Sequence, residues 1–382
     1  MAVTTFAAID ISSYEITMKI FEFSKKGGFR TVDDIRYRLN LGVGVYSGGT
    51  MEVDKVDTIC EVLNDFKRSM AEYGVKEYRA CTTSVFREMK NPLIIIEQIF
   101  RRTGIHVEVL SNAEQHFLGY KSIAAIENGF KKMIQKGTAI LDVGGGNLQI
   151  SLFDKDALVT TQSLKMGSVR IRQRLKELEK TNTNYAQLVE EFIRNDLTGF
   201  KRLYLKDREI KNLILMGDFL TETIFREERQ DNIITRAEFE KRYENTVYKT
   251  ETSLSEEMDI DPEYAALIVP TMVICKDFMD LFNAEALWMP GVSLLDGIAY
   301  DFGEKKNFIK SAHNFENDIL VQPEHCQTLS TGKDHIKGTT DLALAIFDSM
   351  KKVHGMGRQR ASASSDRSAA SCCGKYISMG RV

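Results

Sequence analysis

No stretch of this sequence approaches the roughly 20 consecutive apolar residues that a membrane-spanning helix requires. The first ten residues carry no basic flank, and Asp10 interrupts their apolar run, which argues against a secretory leader. A cytoplasmic location with no membrane partner is the resulting expectation. A basic surplus is also lacking. Lys and Arg number 51 against 54 Asp and Glu, for a net charge of −3. The chain therefore lacks the electrostatic footprint of a nucleic-acid binder, and a polyanionic ligand would need a local basic lining. Cysteine is sparse, at 60, 81, 275, 326, 372 and 373, with no metal-ligand spacing to partner histidines. Reduced core thiols are the reading that follows.

What is present is an ordinary globular composition, 43% hydrophobic and 27% charged over 382 residues. That length allows two to three domains and a large core without disulfide or metal staples.

Periodicity organises the chain. Phe6 to Ile9 is apolar, Asp10-Ile11-Ser12-Ser13 turns, and Ile16, Met18 and Ile20 alternate beyond it, which predicts strand, turn, strand. Tyr37, Leu39 and Leu41 continue a strand pattern. Val53 to Tyr73 carries Val56, Ile59, Val62, Leu63, Phe66 and Met70 on one helical face. Tyr78 to Thr82 reads as a strand, with Thr83-Ser84 as N-cap of the next helix. Ile94 to Thr103 reads as a helix closed by Gly104. Val107 to Leu110 predicts a strand and Ala113 to Asn128 a helix.

The pattern then restarts. Ala8-Ile9-Asp10-Ile11-Ser12-Ser13 and Ile140-Leu141-Asp142-Val143-Gly144-Gly145 share one plan: strand, Asp, apolar residue, two tiny residues. Such a repeat indicates two related halves, and alternating strands and helices indicate α/β architecture. Further on, the pattern predicts helices over Tyr185–Arg202, Ala237–Glu251, Pro262–Phe282 and Ser293–Phe302, and strands over Asn212–Met216 and Ala286–Met289. Beyond Gly303 a polar segment leads to an amphipathic helix over Thr339–Lys352 and then to a Ser/Ala-rich stretch too poor in large apolar residues to pack a core. Three units result: 1–128, 129–303, and a truncated, poorly ordered helical tail over 304–382.

Three consecutive glycines after Asp142 remove every Cβ and expose amides that can ring a phosphate oxygen. The Asp before them suits a divalent cation or a water. The Asp10 turn offers Ser12 and Ser13 for the same purpose, although a plain tight turn explains either run alone. Arg87, one turn into a helix, can join helix amides on an anion or simply lie on the surface. Glu114 opens another helix as a base or as a partner of the helix dipole.

With Ala8-Ile9-Asp10, Thr83-Ser84…Arg87…Asn91, Leu110-Ser111…Glu114, Leu141 to Gly146 and Gly291 to Gly297 in this order, the chain resembles the exopolyphosphatase and guanosine pentaphosphate phosphohydrolase (Ppx/GppA) family, of the sugar kinase, Hsp70 and actin superfamily. The resemblance implies two duplicated actin-like (ribonuclease H-like) domains with a cleft between them. It implies removal of terminal phosphate from inorganic polyphosphate or guanosine pentaphosphate with Mg²⁺, or alternatively Mn²⁺. A homodimer is a further implication. By resemblance, Asp10 and Asp142 would hold the metal. Ser12, Ser13, Arg87, Gly144, Gly145, Gly146 and Asn147 would bind phosphate. The catalytic set would map to Glu114, Gln115, Asp142 and Gln149.

The departures from the family pattern are specific. The first loop usually reads Asp-x-Gly-Ser-Asn-Ser and here reads Asp10-Ile11-Ser12-Ser13-Tyr14-Glu15. The second of two adjacent acids is Gln115, and a later Ser-Thr-Glu is Asn147-Leu148-Gln149. An amide cannot accept a proton near neutral pH, and loss of a positioned base costs about 10²–10⁴-fold in rate. Slow hydrolysis is one expectation, and a sensor of polyphosphate or guanosine polyphosphate that binds without turnover is the other. A kinase of the same superfamily is disfavoured because Gly217-Asp218-Phe219 lacks paired glycines. In the tail, Ser371-Cys372-Cys373-Gly374-Lys375 stands where longer relatives carry His-Asp-x-Gly-Lys, so no metal site of the HD type is expected there.

Overall fold

In the computed structural model, the described residues are 3–25, 27–124, 126, 133–155, 157–179, 184–205, 208–217, 219–225, 232–309 and the isolated 342, 345 and 349. The expected boundary near residue 130, Asp218 and nearly all of the tail, including most of the Thr339–Lys352 helix and Cys372-Cys373, lie outside them.

The first sheet has five strands: β1 (Thr4–Ile11), β2 (Glu15–Ser24), β3 (Gly28–Arg38), β4 (Glu77–Thr82) and β5 (Val107–Val109), in the order β3-β2-β1-β4-β5. The hairpin contacts β1–β2 and β2–β3 are antiparallel, whereas β1–β4 and β4–β5 are parallel. The second sheet repeats this plan with β6 (Thr138–Val143), β7 (Leu148–Asp154), β8 (Ala157–Leu164), β9 (Asn212–Met216), β10 (Ile233–Thr235) and β11 (Ala286–Trp288), in the order β10-β11-β9-β6-β7-β8. Again β6–β7–β8 are antiparallel and β6–β9–β11 parallel. The chain is thus α/β with two duplicated actin-like sheets, and Asp10 and Asp142 stand at equivalent places near the carboxyl ends of β1 and β6.

The helices of the first half are α1 (Gly42–Gly48), α2 (Val53–Glu72), α3 (Ser84–Arg87), α4 (Pro92–Thr103) and α5 (Asn112–Ala124). Those of the second are α6 (Ser168–Glu179), α7 (Tyr185–Phe200), α8 (Phe219–Glu222), α9 (Arg236–Thr246), α10 (Glu251–Met258), α11 (Pro262–Ala265), α12 (Ile268–Phe282) and α13 (Leu294–Lys305). Helix α2 buries the seven-residue face Val56, Ile59, Cys60, Val62, Leu63, Phe66 and Met70, the stripe its periodicity predicts. Gly104 closes α4 at φ 74°, where a side chain would be strained.

Two helices exchange places between the halves. From α5, Tyr120 and Ile123 pack with Ile140, Phe153 and Ile214 of the second sheet. From α13, Leu295, Ile298 and Phe302 pack with Phe6, Ala8 and Phe23 of the first. The helices touch at Gly297, where a Cβ would lie 1.9 Å from the Leu118 carbonyl oxygen. Lys121 on α5 pairs with Asp301 (2.7 Å) and Glu304 (2.5 Å) on α13, largely shielded from solvent.

Some expectations are corrected. The helix over Ala237–Glu251 is two helices, because Thr250 accepts a hydrogen bond from the Ser253 amide and starts α10 anew. Pro262–Phe282 likewise divides into α11 and α12. Leu39 and Leu41 lie beyond the end of β3. Thr83 precedes α3 as expected, but its side chain makes no capping bond. Strand β8, helix α6 and the short β10 carry no strong period and were not foreseen.

Candidate functional site

A cavity of ≈ 200 Å³ opens where β1, β6 and β9 end, the place where open α/β sheets ordinarily take ligands. From the first half it is lined by Asp10, Ser12, Ser13, Tyr14, Glu15, Thr83, Ser84, Arg87 and Gln115; from the second by Asp142, Gly144, Gly145, Asn147, Ser168 and the apolar group around Phe219 and Tyr264. The two aspartate turns therefore face each other. A wider hollow of ≈ 390 Å³ between α7 and α12 bears none of the residues singled out in the sequence, and we assign no chemistry to it.

Register explains the placement. Asp10 pairs with Thr17 across β1–β2, and Asp142 pairs with Gln149 across β6–β7. Directly opposed residues share a sheet face. The Asp10 carboxyl is pushed up to about 7, first by burial, then by the charges of Glu15 and Asp142, with Arg87 opposing. Burial likewise pushes Asp142 up to about 6, against a hydrogen bond from Gln115.

Arg87, Gln115 and Asp142 form a chain. Arg87 donates to the Leu110 carbonyl (2.5 Å) and to Gln115 Oε1 (3.1 Å), and Gln115 Nε2 donates to Asp142 Oδ2 (3.5 Å). An amide can accept from a guanidinium and donate to a carboxylate at once, which an ionised carboxylate cannot. A glutamate here would keep the Arg87 contact and lose the donation to Asp142. The neighbouring His116 is buried on Thr161 (2.9 Å) and held neutral, its pKa pushed down to about 3 by burial and by Arg87.

A second cluster joins the halves beside the cavity. Tyr46 of α1 bonds Ser13 and Ser84, the latter at 3.0 Å. Arg170 of α6 donates to the Gly146 carbonyl (2.7 Å) and to Glu88, and its guanidinium stacks 4.2 Å from the Tyr46 ring centre. Gly145 approaches Ser13 so closely that a Cβ would lie 2.8 Å from Ser13 Cβ. Across the mouth, Tyr14 stacks on Tyr264 at 5.4 Å and Arg38 lies over the same ring at 4.1 Å.

Nine sequence-derived candidates therefore converge on the cavity: Asp10, Ser12, Ser13, Arg87, Gln115, Asp142, Gly144, Gly145 and Asn147. Three do not. Glu114 accepts hydrogen bonds at one carboxylate oxygen from the Ser111 amide (2.9 Å) and hydroxyl (2.7 Å), a capping box that turns it to its own helix start. Gln149, beside Asp142 on the neighbouring strand, is 3% exposed and does not line the cavity. Gly146 is turned to Tyr46 rather than to the cavity. The serine hydroxyls also have protein partners: Ser12 donates to the Glu15 carbonyl (2.9 Å), and Ser13 bonds Tyr46. Glu15, Tyr264 and Arg170 were not among the candidates. The hairpin register would have placed Glu15 on the Asp10 face, but it needs the turn length, which the sequence leaves open.

Residues 20–306 match the Ppx/GppA phosphatase family; the Asp10 turn precedes the matched stretch. A guanosine-5'-triphosphate,3'-diphosphate pyrophosphatase of Vibrio atlanticus is 22% identical over 304 residues, 78% of this chain and 59% of the relative. The chain thus spans about three fifths of the length of that relative. Among solved structures, an exopolyphosphatase from Cytophaga hutchinsonii superposes with TM-score 0.67 at 17% identity, covering 81% of this chain and 100% of that one. A Ppx/GppA family member from Aquifex aeolicus gives TM-score 0.64 at 18% identity, covering 80% and 99%. At these identities the structural likeness speaks to the fold.

Proposed function

Since the chain belongs to the Ppx/GppA phosphatase family, we propose that it hydrolyses the terminal phosphoanhydride of inorganic polyphosphate or of a guanosine polyphosphate, slowly. The observation that carries this reading is the convergence of Asp10 and Asp142 on one cavity with Arg87, Gly144 and Gly145. Backbone amides of the glycine turn would receive a phosphoryl oxygen, and Arg87, already anchored by the Leu110 carbonyl, would balance its charge. Phosphoryl transfer is mostly positioning and charge stabilisation, and two rigid turns provide positioning. The division into units 1–128 and 129–303 is part of the same proposal.

A divalent cation fits the donor set. Burial, then the charges of Glu15 and Asp142, raise the Asp10 pKa, so the cavity brings together buried like charges that a cation would relieve. Among the described residues no group of three or more His, Cys, Asp or Glu could hold a metal ion. Mg²⁺ needs no more than one or two carboxylates together with phosphate oxygens. Asp10 and Asp142 would hold Mg²⁺ or Mn²⁺, and the bound ion would neutralise charge that develops on the departing phosphate.

Phosphate release from tripolyphosphate and from guanosine pentaphosphate, with Mg²⁺ or Mn²⁺, tests the proposal. Release above a D142N control is expected, and none from either substrate overturns it. The amide at 115 favours a second reading, a sensor that binds these anions without turnover. Calorimetric binding without phosphate release would select the sensor.

A further inference from the structure

The departures from the family pattern leave the site without the carboxylate that orients the attacking water. Gln115 is committed to Arg87 and Asp142, Gln149 is a buried amide that does not line the cavity, and Glu114 caps its own helix. Among the described residues, the carboxylates lining the cavity are Asp10, Asp142 and Glu15. The first two stand at equivalent places of the duplicated sheets; Glu15 corresponds in register to Asn147 of the second half, which lines the cavity with an amide instead of a carboxylate.

We infer that Glu15 is the general base of this chain, delivered from the β1–β2 hairpin in place of the helix α5 position that has become Gln115. The inference rests on the hydrolase reading above. Three observations carry it. Glu15 lies two residues before Thr17, the cross-strand partner of Asp10, so its side chain leaves the same face of the sheet as Asp10. It lines the cavity together with Arg87 and the Gly144 turn. Its backbone is fixed from both sides: the Glu15 carbonyl accepts from the Ser12 amide (2.9 Å) and hydroxyl (2.9 Å), and the Glu15 amide donates to Ser12 Oγ (3.3 Å). The side chain therefore starts from a fixed point of the turn, which is where preorganisation begins.

The step balances with water alone. The water oxygen forms a bond to the terminal phosphorus while the bond from that phosphorus to the bridging oxygen breaks. The electron pair leaves with the bridging oxygen as the shortened polyphosphate anion. The water proton passes to the Glu15 carboxylate and then to solvent.

The test compares the full-length protein with E15Q and E15D, using tripolyphosphate and guanosine pentaphosphate. E15Q is expected to lower kcat by about 10²–10⁴-fold and leave KM unchanged, with only a small change in Mn²⁺ affinity from the lost negative charge beside Asp10. E15D, one methylene shorter, is expected to fall between the two. A kcat for E15Q within about threefold of the parent, in a parent that does turn over, overturns this inference and leaves the hydrolase reading standing. A loss of Mn²⁺ affinity as large as that of D10N overturns it by making Glu15 a metal ligand. Absence of turnover in the parent overturns both.

Discussion

Gly146 and Tyr46 meet across the cleft so tightly that a Cβ on Gly146 would lie 2.0 Å from the tyrosine hydroxyl oxygen. This contact decides what the third glycine of the triple does. Gly144 and Gly145 line the cavity, while Gly146, like the Ser13 side of Gly145, lets the second half close on the first. Tyr46 cannot yield easily, since Ser13 and Ser84 hold its hydroxyl and Arg170 covers its ring.

Gly146→Ala is therefore expected to destabilise the protein by about 1–3 kcal/mol, the usual cost of overpacking a tight contact. Tyr46→Phe in the same chain removes the nearest obstructing atom and should recover part of that loss. Urea unfolding of the two single variants and the double checks it. A coupling near zero, where contacting residues normally show about 0.5–3 kcal/mol, would mean that the loops do not meet as described.

The raised acids predict a pH signature. Asp10 titrates near 7 in the folded protein against 3.8 for a free Asp, so between these values the native state binds the extra proton. Stability from this group is full below 3.8 and falls as pH rises through 7. Asp142, near 6, acts in the same sense. His116, held neutral down to about 3, acts in the opposite sense below 6.5, so the difference between variant and parent is the useful quantity. Asp10→Asn should raise the melting temperature relative to the parent at pH 8 and lose that advantage at pH 4. Equal effects at both values would contradict the burial of a charged Asp10.

Much of this was legible in the sequence because it was local. The Asp10 and Asp142 turns, the α2 face and the Gly104 terminator each follow from a few adjacent residues. Arg87 could be placed at a helix start, but its contact with the Leu110 carbonyl depends on how β4 and β5 pair. The exchange of α5 and α13 was not legible, since apolar faces do not name the sheet they cover. Nor was the fate of Glu114. Its serine three residues upstream fits a capping box, and the family pattern fits catalysis; only the observed bonds to Ser111 decide between them.

Gln149 makes a separate prediction. Its side chain is buried, and neither amide atom has a hydrogen-bond partner in the structure. An unsatisfied buried polar group costs about 1–3 kcal/mol. Gln149→Leu should thus leave the protein as stable or more stable, while Gln149→Glu, which buries an uncompensated charge, should weaken it. Chemical denaturation ranks the three proteins. A clear loss of stability for the leucine variant would reveal a partner for the amide.

Gln115→Glu separates the two places from which a base can come. The new carboxylate would keep Arg87 as partner but give up the donation to Asp142, and two negative groups would then face each other. The Asp142 pKa should rise further, and Mn²⁺ binding should move to higher pH. In the parent background, where Glu15 already serves, hydrolysis should change by less than about tenfold, well under the span of a lost base. In the E15Q background the same substitution restores a carboxylate beside the phosphate turn, and most of the lost rate should return. A gain of several orders of magnitude from Gln115→Glu alone would instead place the vacant base at position 115 and make the natural protein a degraded catalyst, because a site that already holds a working base has little to gain from a second.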